Sequence, residues 1–279
     1  MSAPAQPGLY IVATPIGNLG DLSRRAEETL ANADIILVED TRVTGKLLNY
    51  IGKKVRMMVY NDHKSAADRD AILDAVRCKI VALVSDAGTP LISDPGYKLV
   101  RDAQAAGLYV TTIPGPSAAI AALTLSGLPS DRFLFEGFLP SKTKARTESL
   151  SALQALNASL IFYENGSRLG AMLTDSLAVL GDRKAAVVRE ITKRFEESVT
   201  GSLSELAERY AAEKPKGEIV VIIGPPGAPE AASEAEIEAA LRAALIRLPA
   251  SKAAGEVAKA FNTDRKALYE LANRWKSEK

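Results

Sequence analysis

S-D-A-G-T-P-L-I-S-D-P-G, residues Ser85–Gly96, directly follows the apolar run Ile80-Val81-Ala82-Leu83-Val84. A short apolar run bounded by turn residues predicts a buried strand. The loop ends in Asp94-Pro95-Gly96, which predicts an N-cap at Asp94 with Pro in the first helical position. The helix beyond it would bury Leu99, Val100 and Ala103 on one face. The loop then lies at the carboxyl end of a parallel strand, where open α/β sheets receive ligands. Ala87, Gly88 and Thr89 are small enough for the backbone to approach a ligand, and Gly88 can adopt a positive φ. Taken alone, the loop fits a tight connection as well as a binding site.

Outward from this stretch the same unit repeats. Residues 9–13 form an apolar strand that runs into Thr14-Pro15-Ile16-Gly17-Asn18-Leu19-Gly20-Asp21. Leu22, Ala26 and Leu30 then recur at helical spacing, with Asp21 or Ser23 as the cap. Residues 35–38 are a buried strand ending in Glu39-Asp40-Thr41-Arg42. Three charges in four residues suggest a site, although each one singly reads as a solvated strand end with Asp40 or Thr41 capping a helix. A strand at 56–60, a helix near 64–76 and a strand at 109–113 continue the alternation. Pro114-Gly115-Pro116-Ser117-Ala118 opens another helix, whose free N–H groups could receive an anion. The three loops would lie along one sheet edge.

Ser126–Arg132 reads as a boundary, dividing an N-terminal α/β domain, 1–125, from a second α/β domain, 126–224. Strands are expected at 133–139, 159–163, 185–188 and 219–223, with a helix near 204–212 and strand–helix alternation throughout. Residues 225–279 form a linker and a helical tail, with a Ser233/Glu236 capping box and Ile237, Leu241, Leu245 and Leu248 on one face. Helices near 252–261 and 265–276, joined by a tight turn, resemble a helix-turn-helix. Residues 251–279 carry seven basic against four acidic side chains, which fits either a polyanion contact or a solvated cap.

The 279 residues carry a net charge of +1, so any nucleic-acid contact must come from local patches. One cysteine, Cys78, and one histidine, His63, exclude an internal disulfide and a Cys/His metal site. Cys78 is expected as a small buried hydrophobe and His63 at the surface. The sequence contains neither a Walker A motif nor G-x-G-x-x-G. No stretch reaches transmembrane length and residues 1–8 do not resemble a signal peptide, so a cytoplasmic protein is expected.

Seven stretches together resemble one family. They are T-P-I-G-N-L at 14–19, E-D-T-R at 39–42, S-D-A-G-T-P-L-I-S-D-P-G at 85–96, P-G-P-S-A at 114–118, G-F-L-P at 137–140, R-E-I-T-K at 189–193 and F-E-E at 195–197. The chain resembles the cytidine 2′-O-methyltransferases of small-subunit ribosomal RNA, within the tetrapyrrole-methylase superfamily. The sequence departs from that pattern at Gly166 and Ser167, where Pro and His are expected. The resemblance implies S-adenosylmethionine in a cleft between two α/β domains, with 16S ribosomal RNA or the small ribosomal subunit as substrate and a homodimer as the assembly. By position it implies cofactor contacts at Pro15, Ala87, Gly88, Thr89, Ile92, Ser117, Ala118, Tyr163, Glu164, Gly217 and Glu218, with Asp86 beside them. A 2′-hydroxyl gains from a general base. Asp40, Glu39, Asp86, Glu190 and Lys193 all stand at strand ends, and Asp40 and Glu190 are the first choices. Arg42, Lys193 and Arg194, with Lys252, Lys259, Arg265, Lys266 and Arg274 of the tail, are the candidate RNA contacts. A tetrapyrrole-type methylase and a non-enzymatic RNA-binding protein are the alternatives.

Overall fold

A computed structural model describes residues 6–227, 234–261 and 263–277. They fall into two compact units that divide between Pro225 and Pro226. The first unit opens with β1 (Gly8–Val12), α1 (Arg24–Asn32), β2 (Ile35–Val38), α2 (Thr41–Tyr50) and β3 (Met57–Val59). It continues with α3 (Ala66–Cys78), β4 (Ile80–Leu83), α4 (Tyr97–Ala105) and β5 (Val110–Ile113). The five strands form one sheet in the order β3-β2-β4-β1-β5, with every pairing parallel.

Strand side chains alternate between faces, and both faces of this sheet are covered. Tyr10, Val12, Ile36, Val38 and Ala82 pack with Leu30, Leu47 and Leu48 on one side. Leu9, Ile35, Leu37, Val81 and Leu83 pack with Ile72 and Leu99 on the other. This is why the strands read as unbroken apolar runs. It also fixes the loops after β1, β2, β4 and β5 at one carboxyl edge.

Three local expectations differ. The helix after the 85–96 loop begins at Tyr97, with Gly96 as its N-cap at φ 135°. A Cβ on residue 96 would stand 2.7 Å from Leu83 Cδ2 and 2.8 Å from Leu91 Cδ1, so only glycine fits there. Asp94 is thereby released from capping. Cys78 ends α3 and is exposed, because the face buried by that helix is Ile72, Leu73 and Val76.

The second half begins with α5 (Ala118–Ser126), followed by β6 (Phe133–Phe138), α6 (Thr143–Leu153), β7 (Ser159–Asn165) and α7 (Gly166–Leu180). Next come β8 (Lys184–Arg189), β9 (Glu197–Ser202), α8 (Leu203–Ala212) and β10 (Glu218–Ile223). The sheet order is β6-β7-β10-β8-β9. Only β6 and β7 are parallel, so the expected alternation gives way to a mostly antiparallel sheet. The sequence reading passes over β9, E-S-V-T-G-S, because an edge strand with one apolar residue carries almost no hydrophobic period. Leu150, Leu169, Leu173 and Leu206 cover one face. Ala119, Ala122 and Leu123 of α5 cover the other, against Ile161, Ala186, Val188 and Ile222.

The second unit holds α9 (Glu234–Arg247), α10 (Ala250–Phe261) and α11 (Arg265–Ser277). Leu241, Ala244, Ala253, Ala254, Val257, Leu268 and Ala272 form its core, and Ile237, Leu245 and Leu248 pack around it as their spacing predicts. Ser233 of the expected capping box lies outside the described residues. Among those residues, no helix is long and apolar enough to cross a membrane.

Gly166, one of the two departures from the family pattern, opens α7 directly beneath the segment that precedes β10. A Cβ there would overlap the Pro215 carbonyl oxygen. Gly166→Ala should therefore lower stability by about 1–3 kcal/mol. The expected readout is a reduced urea midpoint with an unchanged m-value.

Candidate active site

The loops of the parallel sheet meet the second sheet around a cavity of about 500 Å³, within the range of small-molecule sites. Its first wall is the stretch that opened the sequence. Thr14 N–H donates to the Gly88 carbonyl at 2.8 Å, and Gly88 N–H donates back to the Thr14 carbonyl at 3.1 Å. Thr89 Oγ1 donates to the Pro116 carbonyl at 2.9 Å. These bonds join the loops after β1, β4 and β5 into one rigid edge. Gly88 sits at φ 79°, with 3.4 Å between a would-be Cβ and Ile16. Leu91 and Ser93 also adopt positive φ, 75° and 62°. Strain of this kind collects at functional loops.

Asp86, Ala87, Gly88, Thr89, Ile92, Ser117, Ala118, Tyr163, Glu164, Gly217 and Glu218 all line the cavity. Of the expected cofactor positions only Pro15 does not line it; its neighbour Ile16 does. Ser93, Asp94, Phe138, Asn165, Ile191, Ile219 and Val220 complete the wall with Glu39, and sequence reasoning did not select them for this role. The alternation of β10 could have found Val220, since it pairs with Tyr163. Ser117 caps α5 without a side-chain bond, so the helix N-terminus faces the cavity with backbone donors available for a carboxylate.

The two carboxylates favoured as bases do not line the cavity. Asp40 is the N-cap of α2, accepting from Arg42 N–H at 2.8 Å. The Arg42 guanidinium bonds its other oxygen and holds its pKa at about 2. Its own N–H donates to Asp86 Oδ1 at 3.1 Å. Glu190, at φ 51°, accepts from Lys193 Nζ at 3.0 Å and from Glu218 N–H at 3.3 Å. The Lys193 bond lowers its pKa. A Cβ at Gly217 would overlap Glu190 Oε1, so Glu190 supports the backbone that carries Glu218.

The cationic candidates are similarly occupied. Arg42 is paired with Asp40, and Lys193 bridges Glu190 and Glu218 at 3.0 Å each. Arg194 is exposed beside the Phe195 ring at 5.6 Å. Lys252, Lys259, Arg265, Lys266 and Arg274 are all exposed on the second unit, and Arg265 donates to Ser251.

Carboxylates inside the cavity titrate differently. Burial raises Glu39, reinforced by the charges of Asp86 and Asp94. Burial also raises Asp94, opposed by a bond from Ser85 and assisted by Asp86. Glu164, 3% exposed, is raised by burial despite a 2.9 Å bond from Asn165 N–H and the nearby Arg168 and Arg146.

The sequence that forms this fold and cavity places the chain in one class of methylase. The family model Tetrapyrrole (Corrin/Porphyrin) Methylases matches residues 8–207, and members of that family use S-adenosylmethionine. The fold is shared with a crystal structure of diphthine synthase, at TM-score 0.60 and 16% identity over 77% of this chain and 89% of that one. It is shared also with a conserved hypothetical protein of Aeropyrum pernix K1, at TM-score 0.63 and 17% identity over 95% of each chain. Residues 231–276 match the RsmI C-terminal HTH domain. The chain is 56% identical to Ribosomal RNA small subunit methyltransferase I of Erythrobacter litoralis, over 96% of this chain and 95% of the relative. It is 43% identical to the protein of that name from Escherichia coli O157:H7, over 96% and 95%. The chain belongs to the ribosomal RNA small subunit methyltransferase I family.

The raised carboxyl of Asp94 gives a test of the site's electrostatics. A carboxyl raised on folding costs stability above its folded pKa, and the cost vanishes as pH falls to the unfolded value near 3.8. Asp94→Asn should therefore raise Tm at pH 7. The gain should shrink to nothing near pH 4 in thermal melts recorded across that range.

Proposed function

We propose that the protein transfers a methyl group from S-adenosylmethionine to the ribose 2′-hydroxyl of a decoding-region cytidine in 16S ribosomal RNA. The observation that carries this reading is the cavity at the carboxyl edge, whose lining takes in every cofactor position implied by the family pattern except Pro15. The residues fit the cofactor. A cationic sulfonium suits a wall containing Glu39, Asp86, Asp94, Glu164 and Glu218, and its carboxylate suits the N-terminus of α5. The apolar adenine suits Ile191, Ile219 and Val220, which are buried at the cavity floor. The bound cofactor supplies an electrophilic methyl group.

The chain's own contribution is alignment and proton removal. In-line displacement gains most from fixed geometry, and the cross-bonded loops after β1, β4 and β5 provide a rigid frame. Of the five strand-end groups, Glu39 and Asp86 are the two that line the cavity. Burial raises Glu39, which makes it the better proton acceptor of the carboxylates near β2. Asp40 orients Arg42, and Glu190 orients Glu218. A cytoplasmic homodimer belongs to the same reading.

The exposed basic side chains of the tail support an RNA-docking role. Lys266, Tyr269, Asn273 and Arg274 share one groove on α11, the second helix of the helix-turn-helix, with Glu270 as its one carboxylate among the described residues. Lys266→Ala and Arg274→Ala should each flatten the dependence of RNA binding on log salt by about one unit, read by titrations between 50 and 200 mM salt.

The function itself is tested with labelled cofactor and unmodified small ribosomal subunits. Methyl groups should appear on ribose, and 2′-deoxycytidine at the target should abolish transfer while cofactor affinity stays constant. Transfer to the deoxy substrate would overturn the ribose assignment.

A further inference from the structure

G-F-L-P at 137–140 places one aromatic ring at the mouth of the cavity, outside the set of cofactor positions implied by the family pattern. Phe138 ends β6, lines the cavity and is 58% exposed. With Ile92 it forms the exposed apolar rim, whereas Ile191, Ile219 and Val220 form the buried floor. The local backbone is built to aim it. The β6–β7 register shifts between Phe135 and Gly137, and Gly137 takes φ 76°. Bulges of this kind re-aim side chains beside active sites. A Cβ on residue 137 would stand 3.0 Å from Ser93 Oγ, so this bend also lies close against the loop after β4.

The ring is fixed from behind. Tyr163 packs edge-on to it, at 5.6 Å and 64°, and is itself packed by Phe135 at 4.9 Å and 68°. The chain beyond is clamped by two arginines. Arg168 Nη2 donates to the Leu139 carbonyl at 2.6 Å, and Arg146 Nη1 donates to the Ser141 carbonyl at 3.0 Å. Arg146, buried, is paired with Asp175 at 2.6 Å, and Arg168 with Glu164 at 3.3 Å. Two cations and two carboxylates thus hold the chain that follows one exposed ring. A free aromatic face beside a methyl-transfer site suits a flat partner.

Resting on the methyltransferase reading, we infer that Phe138 is the stacking platform for the target nucleobase, drawn out of the RNA so that its ribose can reach the cavity. Bringing one ribose into a cavity of about 500 Å³ draws its nucleotide away from its neighbours in the strand, and aromatic side chains replace the stacking so lost. Phe138 makes no base-specific hydrogen bond, so it positions the nucleotide rather than choosing it.

The test compares wild type with Phe138→Ala, Phe138→Leu and Phe138→Tyr on unmodified small subunits. A second assay uses target-site RNA carrying a fluorescent cytidine analogue. Phe138→Ala and Phe138→Leu should lower kcat/KM for the subunit about tenfold or more, with cofactor affinity by calorimetry within about threefold of wild type. Phe138→Tyr, which keeps the ring, should restore most of the activity. Binding should quench the analogue with wild type and Tyr, and not with Ala or Leu. Wild-type activity and quenching in the Ala or Leu variant would overturn the inference. So would a parallel loss of cofactor affinity, which would make Phe138 part of the cofactor wall. A wild type that transfers nothing to the subunit overturns the methyltransferase reading and this inference with it, whereas an active wild type matched by Phe138→Ala overturns the inference alone.

Discussion

The reciprocal backbone pair between Thr14 and Gly88 is the constraint on which the site depends. It lies outside the regular sheet, just past the carboxyl ends of two adjacent strands, β1 and β4. It forces the following loops to fold across the edge rather than away from it. Gly88 can make it because its φ of 79°, a conformation that other residues rarely adopt, turns both its polar groups toward Thr14. Thr89 then fastens the same turn to Pro116. Buried backbone groups must be paired, and here the pairing doubles as the wall of a cavity.

Much of the first sheet was legible because a parallel sheet covered on both faces writes itself as apolar runs ending in small or charged residues. Ile35–Val38 and Ile80–Leu83 are of that kind. The second sheet was less legible. Its antiparallel order depends on long-range pairing between β10 and its neighbours β7 and β8, which no local period announces. The same limit explains the helix start after the 85–96 loop. Asp94-Pro95 is a sound local capping signal, but the tight approach of Leu83 and Leu91 to Gly96 decides the outcome.

The acidic candidates divide on similar grounds. Sequence placed Glu39, Asp40, Asp86 and Glu190 together at strand ends. Only three-dimensional pairing separates those spent on neighbours from those facing the cavity. Asp40 spends its oxygens on Arg42, two residues away in sequence. Glu190 spends its own on Lys193 and on the Glu218 backbone. The capping alternative for Asp40, visible in the sequence, proved to be its structural role.

The cavity's charge then sets a problem that the rest of the molecule must solve. Its lining contains five carboxylates, of which Glu164 is paired with Arg168 and Glu218 with Lys193, while Glu39, Asp86 and Asp94 cluster without a cation among the described lining residues. Such a wall attracts a cationic methyl donor and repels the phosphates of an RNA substrate. Repulsion between exposed charges fades over a Debye length of about 8–10 Å. An RNA substrate would therefore need basic groups other than this wall to hold its phosphates. On the proposed reading, the exposed cations Lys252, Lys259, Arg265, Lys266 and Arg274 of α10 and α11 are the groups that would bind such phosphates. On the inference drawn above, the nucleotide would meet the uncharged ring of Phe138, a face that offers contact without needing a countercharge. The net charge of +1 thus conceals a local concentration of carboxylates along the cavity wall and a basic excess in residues 251–279.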